Sequence, residues 1–585
     1  MRKTKILATI GPASNDLEII KKMIDKGMNA ARFNFSHFNY DTDIELVNKV
    51  KEAREALGKP VPLILDTKGP EIRTKNLEGD KIYLEQGSEF TLTTEDIVGD
   101  QNRVAVTYEH LPRNLKKGSR VLIDDGLLEM EVVSIKGPDI KCVLINSGFL
   151  GNKKGINVPD VFVDLPSLTE KDVNDIKFGI EAGFDFVAAS FVRTAEDIVN
   201  IRKVLEDNGG KHMHIIAKIE SRDGVNNLDS ILEVADAIMV SRGDLGVEIP
   251  PEEVPIVQKD MIRRCNMVGK PVITATHMLE SMCANPRPTR AEANDVSNAI
   301  FDGSDVVMLS GETANGKYPV EAVSMMARIA RQAEGNIDYK TTHAAHYANL
   351  NRNITNAISL AAVATADDMG AACIVPITDS GFASRMVSRS RPECPILAIT
   401  QDPVAYRQLS LSWGCMPVLA EKPFEGDEEV FEMAEEMALK YKVANNGDVI
   451  VAIAGVPIGS AGTTNTVRVR SVGNVLAKGE GNKRGSVKGI ARVLTSSNVS
   501  DRSFFEVGDI IICTTTDDTM LEQLKKAGGL VIGSWEKVDH GHAKTVAKAL
   551  DLPLLQVDVR AVDFVKTGTA ITLDTNEGLL LNGYK

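Results

Sequence analysis

A rhythm restricts what this chain can fold into more than any single motif does. Short apolar runs alternate with amphipathic stretches. They begin at residues 5–11 ("KILATIG"), are followed by the helical pattern "DLEIIKKMIDKG", and continue at 29–37 ("NAARFNFSH") and 61–70 ("VPLILDTKGP"). The rhythm then breaks. From 71 to 166 the pattern is strand-like, as in "KIYLEQGSEFTLTT", "SRVLIDDGLLEMEVVSI" and "DIKCVLINSG", with Gly-rich turns between. Nearly a hundred residues is too long for a loop and predicts an inserted all-β domain. The rhythm resumes at 184–192, 214–221, 237–244, 271–277 and 305–312. Three units before the break and five after it predict an α/β protein built on a (β/α)8 TIM barrel interrupted after its third strand.

A second α/β pattern runs from about 340, with strands expected at 371–378, 395–400 and 448–455. Near 475, "AKGEGNKRGSVKG" reads as a Gly- and Lys-rich linker. The last hundred residues, with "DIIICTTT" and "GLVIGSW", read as a small further module. The expected division is a barrel at 1–70 and 167–340, an inserted β domain at 71–166, a further α/β domain at 341–473 and a C-terminal module at 474–585. A length of 585 residues is consistent with several domains. A net charge of -14 disfavours general attraction to nucleic acid or anionic lipid. Seven scattered Cys, with no CxxC pair and no His at ligand spacing, argue against a disulfide framework or zinc site. With no signal-like start and no run approaching ~18 apolar residues, the expectation is a cytoplasmic protein with no membrane span.

In such barrels chemistry gathers at the carboxyl ends of the strands. Those ends read Asn34, Asp66, Ser190, Lys218 and Glu220, Asp244, Thr276 and Glu312. The sharpest case is "IMVSRGDLG", where a core-like run breaks into Arg242-Gly243-Asp244. An adhesion role for the RGD tripeptide would need an exported protein, and nothing in the chain suggests export. Another reading has Gly243-Asp244 capping a helix over 252–267. Glu220 and Asp244 close successive strands, and two carboxylates at one mouth suit Mg²⁺ or Mn²⁺, with a structural salt-bridge cluster as the alternative. Lys218 falls on the same side of its strand as Glu220, which suggests an anionic substrate. Gly243 and Asp244 precede a helix whose free N–H groups favour a carboxylate or phosphate, and Thr276 could add a hydroxyl. Asn34, Ser36, Asp66 and Thr67 form an oxygen-rich set with one formal charge, better suited to a monovalent cation than to a second divalent one. "GETANGKY" imitates a phosphate loop but carries Tyr318 where Ser or Thr is needed.

Long motifs then give a resemblance. "TKILATIGPAS", "RFNFSH", "LDTKGPEIRT", "AKIES", "SRGDLGVEIP", "ITATHMLESM" and "RPTRAEANDVSNAIFDGSDVVMLSGETANGKYPVEAV", in this order, resemble the pyruvate kinase family over roughly residues 1–470. The resemblance implies phosphoryl transfer from phosphoenolpyruvate to ADP, giving pyruvate and ATP, with Mg²⁺ (or Mn²⁺) and K⁺. It implies divalent-metal ligands at Glu220 and Asp244, and contacts to the moving phosphoryl from Arg32 and Lys218. Gly243, Asp244 and Thr276 match phosphoenolpyruvate binders, and Asn34, Ser36, Asp66 and Thr67 match K⁺ ligands. Glu71 resembles K⁺-dependent members. Arg73, His37 and Lys154 match nucleotide contacts, Thr276 acting through water is the candidate proton route, and the inserted domain resembles a lid. In the regulatory domain, Thr378, Ser380, Gly381 and Ser384 at a strand-to-helix junction could cradle a phosphate or simply cap the helix. The family's sugar-phosphate effector site uses this loop with one matching "GVPIGSAGTTN", so a sugar-phosphate or nucleotide effector is expected, as is a homotetramer. The tail resembles the phosphohistidine-like module of some bacterial members, with "HGHAK" placing His542 at the likely position. No ATP-grasp partner is visible, so a structural or regulatory tail is favoured. Competing functions are a metal-dependent lyase or aldolase acting on pyruvate enolates, and a catalytically silent sugar-phosphate sensor.

Overall fold

The computed structural model describes residues 1–339, 353–423, 426–457, 464–494, 505–533, 540–557, 561–563 and 565–583. The chain forms two compact units, Met1–Asn356 with Thr378–Lys422, and Ala357–Ile377 with Pro423–Lys585.

The first unit is built on a closed eight-stranded barrel: β1 (Lys5–Thr9), β2 (Ala30–Asn34), β3 (Leu63–Asp66), β4 (Phe186–Ala189), β5 (His214–Ile219), β6 (Ala237–Ser241), β7 (Val272–Ala275) and β8 (Val306–Leu309). Every neighbouring pair is parallel, and β8 closes on β1. The strands are continuous apolar runs because both faces are covered. Leu7, Ile64, Ile216, Met239, Ile273 and Met308 pack inside the barrel, whereas Ile6, Ala8, Leu63, Leu65, Ile215 and Ala217 pack outward. This is the strand period of two.

Local sequence starts several of the surrounding helices. Thr169, Thr194 and Thr289 each cap a helix, and each donates its own N–H in return to the carboxylate of Asp172, Asp197 or Glu292 three residues on. The start of the barrel has its own repeating device. Asn29, Asp185, Asp236 and Asp305 each sit just before an even-numbered strand, and each accepts an N–H near the start of the preceding odd strand: Ile6, Leu63, Ile215 and Val272, at 2.8–3.0 Å.

The inserted segment leaves after β3 and folds into a seven-stranded and a two-stranded sheet. Its core is separate from the barrel's and includes Phe90, Leu92, Val121, Ile123, Met130 and Ile140. On the return path Arg193, just past β4, donates to the carbonyls of Val163 and Leu165 at 2.7 and 2.6 Å, which ties the end of the insertion to the barrel.

In the second unit, Cys373–Pro376 runs parallel to Val449–Gly455, which pairs antiparallel with Thr464–Ser471. A closed seven-stranded barrel follows, with strands between Val475 and Asn582. This corrects the linker expected near 475, because Val475–Gly481 and Ser486–Val493 are both barrel strands. The glycines there serve close approach rather than flexibility. A Cβ on Gly479 would lie 1.9 Å from the Gln556 carbonyl oxygen, and one on Gly481 would lie 2.0 Å from that of Thr575.

Candidate active site

Strand ends meet at the carboxyl face of the barrel as a charged cluster. Lys218, near the end of β5, points its ammonium at Asp66 Oδ1 (3.0 Å), Glu220 Oε1 (3.0 Å) and Ser190 Oγ (2.7 Å). Arg32, on β2, donates through Nε to Asp66 Oδ2 at 2.5 Å and through Nη1 to Thr9 Oγ1 at 2.9 Å. Asp66 is 1% exposed, so burial would raise its pKa, but Arg32 and Lys218 together outweigh burial and hold it below the usual carboxylate range. Burial would likewise lower Lys218, yet Asp66 and Glu220 keep its ammonium above its ordinary value. Both groups are locked in their charged forms.

Glu220 is held from behind by the Phe191 N–H, 2.6 Å from its Oε2. That N–H points correctly because Phe191 adopts φ 57°, an uncommon conformation for a bulky residue and of the kind concentrated at functional sites. In front, Glu220 meets Asp244. The enclosing cavity wall first, and then Glu220, push Asp244 up to about 7.

The structure settles what Asp244 does locally. It lies in the first turn of a short separate helix, Arg242–Glu248. The expected cap on the following helix is therefore corrected: that helix spans Val254–Val268 and begins at Glu253 with no side-chain cap bond. The short helix is anchored by its first two residues. Gly243 donates its N–H to Thr276 Oγ1 at 2.9 Å, and Arg242 reaches the Thr276 carbonyl at 2.6 Å and Asp295 at 2.7 Å. Thr276 itself sits at φ 65° and donates its hydroxyl to the Ala275 carbonyl.

Two buried or enclosed carboxyls in contact suit a divalent cation, because a metal relieves the repulsion that a shared proton otherwise has to relieve. Among the described residues, no group of three or more His, Cys, Asp or Glu forms a cage. Asn34 Oδ1 accepts the Ser36 N–H at 3.1 Å, and Thr67 Oγ1 accepts the Ser190 N–H at 3.2 Å. With Asp66 beside Thr67, this second set offers oxygen donors only.

A cavity of about 530 Å³ opens between barrel and inserted domain, reaching Asp244, Phe191, Arg73 and Lys154. Arg73 is paired with Glu71 at 2.6 Å, and Lys154 with Asp124 at 2.9 Å. His37 is exposed and does not line this cavity.

Three further expected positions read differently. Glu312, past β8, gives its carboxylate to the N–H groups of Leu279 and Ser310, at 3.0 and 2.7 Å, so it holds a loop instead of joining the converging ring. In the loop before helix Phe382–Arg389, Ser380 is exposed and Gly381 takes φ 77°, but Ser384 is fully buried and its hydroxyl has no partner among the described residues. Residues 458–463 of "GVPIGSAGTTN" lie outside the described residues. In the tail, His542 Nδ1 is 2.9 Å from Thr516 Oγ1, and its Nε2 is 3.2 Å from Asp518 Oδ1.

Sequence reasoning missed Thr9, Phe191 and the anchoring pair Arg242–Asp295. Thr9 was findable, since it is the polar end of β1. Phe191 was not, because its contribution is a backbone N–H at an unusual φ.

Comparison with known proteins agrees with this geometry. The model of the pyruvate kinase barrel domain matches residues 1–323, and that of the pyruvate kinase alpha/beta domain matches residues 356–470. Pyruvate kinases of Sporosarcina psychrophila and Bacillus licheniformis are 43% and 44% identical, each match covering 100% of this chain and 99% of the relative. The crystal structure of a pyruvate kinase from Cryptosporidium parvum superposes with a TM-score of 0.78 at 40% identity, covering 81% of this chain and 96% of that one. With its interrupted barrel, its charged mouth and these matches, the chain belongs to the pyruvate kinase family of phosphotransferases.

Proposed function

We propose that the barrel mouth transfers the phosphoryl group of phosphoenolpyruvate to ADP. The observation that carries this reading is the Lys218 ammonium, held between Asp66 and Glu220 and beside Asp244. The bond that breaks joins phosphorus to the enol oxygen, and the bond that forms joins phosphorus to a terminal oxygen of ADP. The remaining enolate takes a proton at carbon and becomes pyruvate. Such transfer is mainly a matter of positioning and charge neutralisation. Lys218 and Arg32 supply fixed positive charge to the moving group. Gly243, Asp244 and Thr276 place the phosphoenolpyruvate carboxylate, while Arg73 and Lys154 receive the nucleotide, with the exposed His37, outside this cavity, as a further nucleotide contact.

Glu220 and Asp244 would hold Mg²⁺ or Mn²⁺, and Asn34, Ser36, Asp66 and Thr67 would hold K⁺; when bound, these ions add Lewis-acid and electrostatic stabilisation of the phosphoryl and enolate oxygens. The Thr276 hydroxyl is engaged with Ala275 and Gly243 here, so its first contribution is to hold the Gly243–Asp244 turn. A proton route through it would require that hydroxyl to exchange partners with a water. The inserted domain acts as the lid that keeps water from the phosphoryl group.

The proposed organisation is a barrel at 1–70 and 167–340, a lid at 71–166, a regulatory segment at 341–473 and a tail from 474, with assembly as a homotetramer. Thr378, Ser380 and Gly381 offer an effector phosphate a helix start, while buried Ser384 supports that turn from within. Among the described residues, no helix is long and apolar enough to cross a membrane. The test is phosphorus NMR of ATP formed from ADP and phosphoenolpyruvate, with and without K⁺ and divalent metal. Product without ATP formation would favour enolate lyase chemistry, and no turnover at all would favour a sensor.

A further inference from the structure

One of the side chains that tie the lid to the barrel lands on the helix that carries Asp244. Asn157 is the last residue of the lid strand Gly155–Asn157, and its Nδ2 donates to Glu248 Oε1 at 2.7 Å. Glu248 is the last residue of the Arg242–Glu248 helix. It stands four positions after Asp244, so both carboxyls share one helix face. Asn157, Asp244 and Glu248 all line the cavity. Barrel residues hold the opposite end of this helix, through Gly243 to Thr276 and Arg242 to Asp295. The seven-residue helix is therefore gripped by the barrel at its start and by the lid at its end. Arg193 ties Val163 and Leu165 of the lid to the end of β4 rather than to this helix, and the other lid contacts near the helix are weaker. Asp160 and Arg222 are 4.0 Å apart with Asp160 79% exposed, and Gly126 only borders Val247.

We propose that Asn157 and Glu248 are positioning residues, a catch that couples closure of the lid to placement of Asp244 for the phosphoryl transfer. This rests on the reading of Glu220 and Asp244 given above. A helix of two turns cannot be displaced at its last residue without moving the first turn. Closing the lid thus sets Asp244, and setting Asp244 favours the closed lid, since coupling between sites is reciprocal. When the catch is open, water enters. Its oxygen then takes the phosphoryl in place of the ADP oxygen, and phosphoenolpyruvate and water give inorganic phosphate and pyruvate.

The test compares Asn157→Asp with the double variant Asn157→Asp/Glu248→Gln. The single change sets two carboxylates face to face. The double change restores the bond with donor and acceptor exchanged. The single variant is expected to form less than one ATP per pyruvate and to need roughly tenfold more divalent metal for half-activation, as for loss of one charge-assisted hydrogen bond. The double variant is expected to recover both properties. Should Asn157→Asp not fold, Asn157→Ala removes the donor without adding charge and is expected to shift both readouts in the same direction. A product ratio of one with unchanged metal requirement in the single variant, or no recovery in the double, overturns the catch. Glu220→Gln separates this from the underlying reading: if it keeps normal metal activation the metal reading fails, whereas if it loses activation while Asn157→Asp behaves normally only the catch fails.

Discussion

Carboxylates crowd both ends of the eight-stranded barrel but are used differently at each. At the amino-terminal end they are consumed by structure. Asp185 takes the Leu63 N–H and the Arg407 guanidinium, Asp236 takes the Ile215 N–H and Arg202, and Asp305 takes the Val272 N–H and Arg391. Each carboxylate meets a backbone donor and at least one arginine, Asp185 having a second in Arg54 at 3.9 Å, which leaves little capacity for a ligand. At the carboxyl end carboxylates face one another, and Asp244 lines a cavity. Glu220 and Asp244 are in contact, Asp66 is shared by Arg32 and Lys218, and the backbone at Phe191, Thr276 and His277 adopts positive φ. The first arrangement pairs carboxylates with arginine and backbone donors, whereas the second sets two carboxyls against each other.

The largest effect that would break this contrast is at the mouth. Glu220→Gln should lower turnover by roughly a hundred- to a thousandfold, the scale of removing one electrostatic stabiliser, and weaken divalent activation while leaving the melting temperature near that of the parent. A coupled lactate dehydrogenase assay over a metal titration, beside a thermal melt, measures both. At the other end the outcome inverts. Asp305→Ala strands the buried Arg391 and the Val272 N–H and should cost about 3–5 kcal/mol of stability, with turnover per folded molecule within about twofold. Denaturant unfolding followed by activity of the soluble fraction checks it.

A pH scan sharpens the same comparison. His214 starts β5; burial first, with Arg385 and Arg202 assisting against Asp236, lowers its pKa to about 4 from an ordinary 6.5. The unfolded chain therefore binds the proton more readily between those values. Stability from this group is complete above pH 6.5 and is lost as pH falls toward 4. The melting temperature should drop across that window, and His214→Gln should flatten the drop. The smallest effect is expected at Glu312, which sits at the mouth yet behaves like the floor. Glu312→Gln should cost about 1–3 kcal/mol, because its amide cannot accept both N–H groups, while the kinetics stay nearly unchanged. A large loss of turnover there would return Glu312 to the catalytic ring.

Much of this was legible beforehand because it lies in spacing. Eight apolar runs, the break after the third and the polar residue after each run predict a barrel with its chemistry at one face. The floor could also have been read, since Asn29, Asp185, Asp236 and Asp305 stand immediately before strands instead of after them. Two kinds of feature escaped. Glycines near 479 look like a flexible link because composition cannot show that a neighbouring strand lies within 2 Å of where a Cβ would be. Ser384 and Glu312 were read by residue type, but their surroundings decide their roles: one hydroxyl is buried and one carboxylate is taken by backbone.

By itself the sequence determined the order of strands, the place of the interruption and the chemical character of each strand end, because these follow from periodicity along the chain. Tertiary structure alone decided which polar ends face each other, which backbone N–H supports Glu220 and which lid residue reaches the Asp244 helix. Those relations join positions tens to hundreds of residues apart, and they depend on distances of a few ångströms that no local pattern encodes.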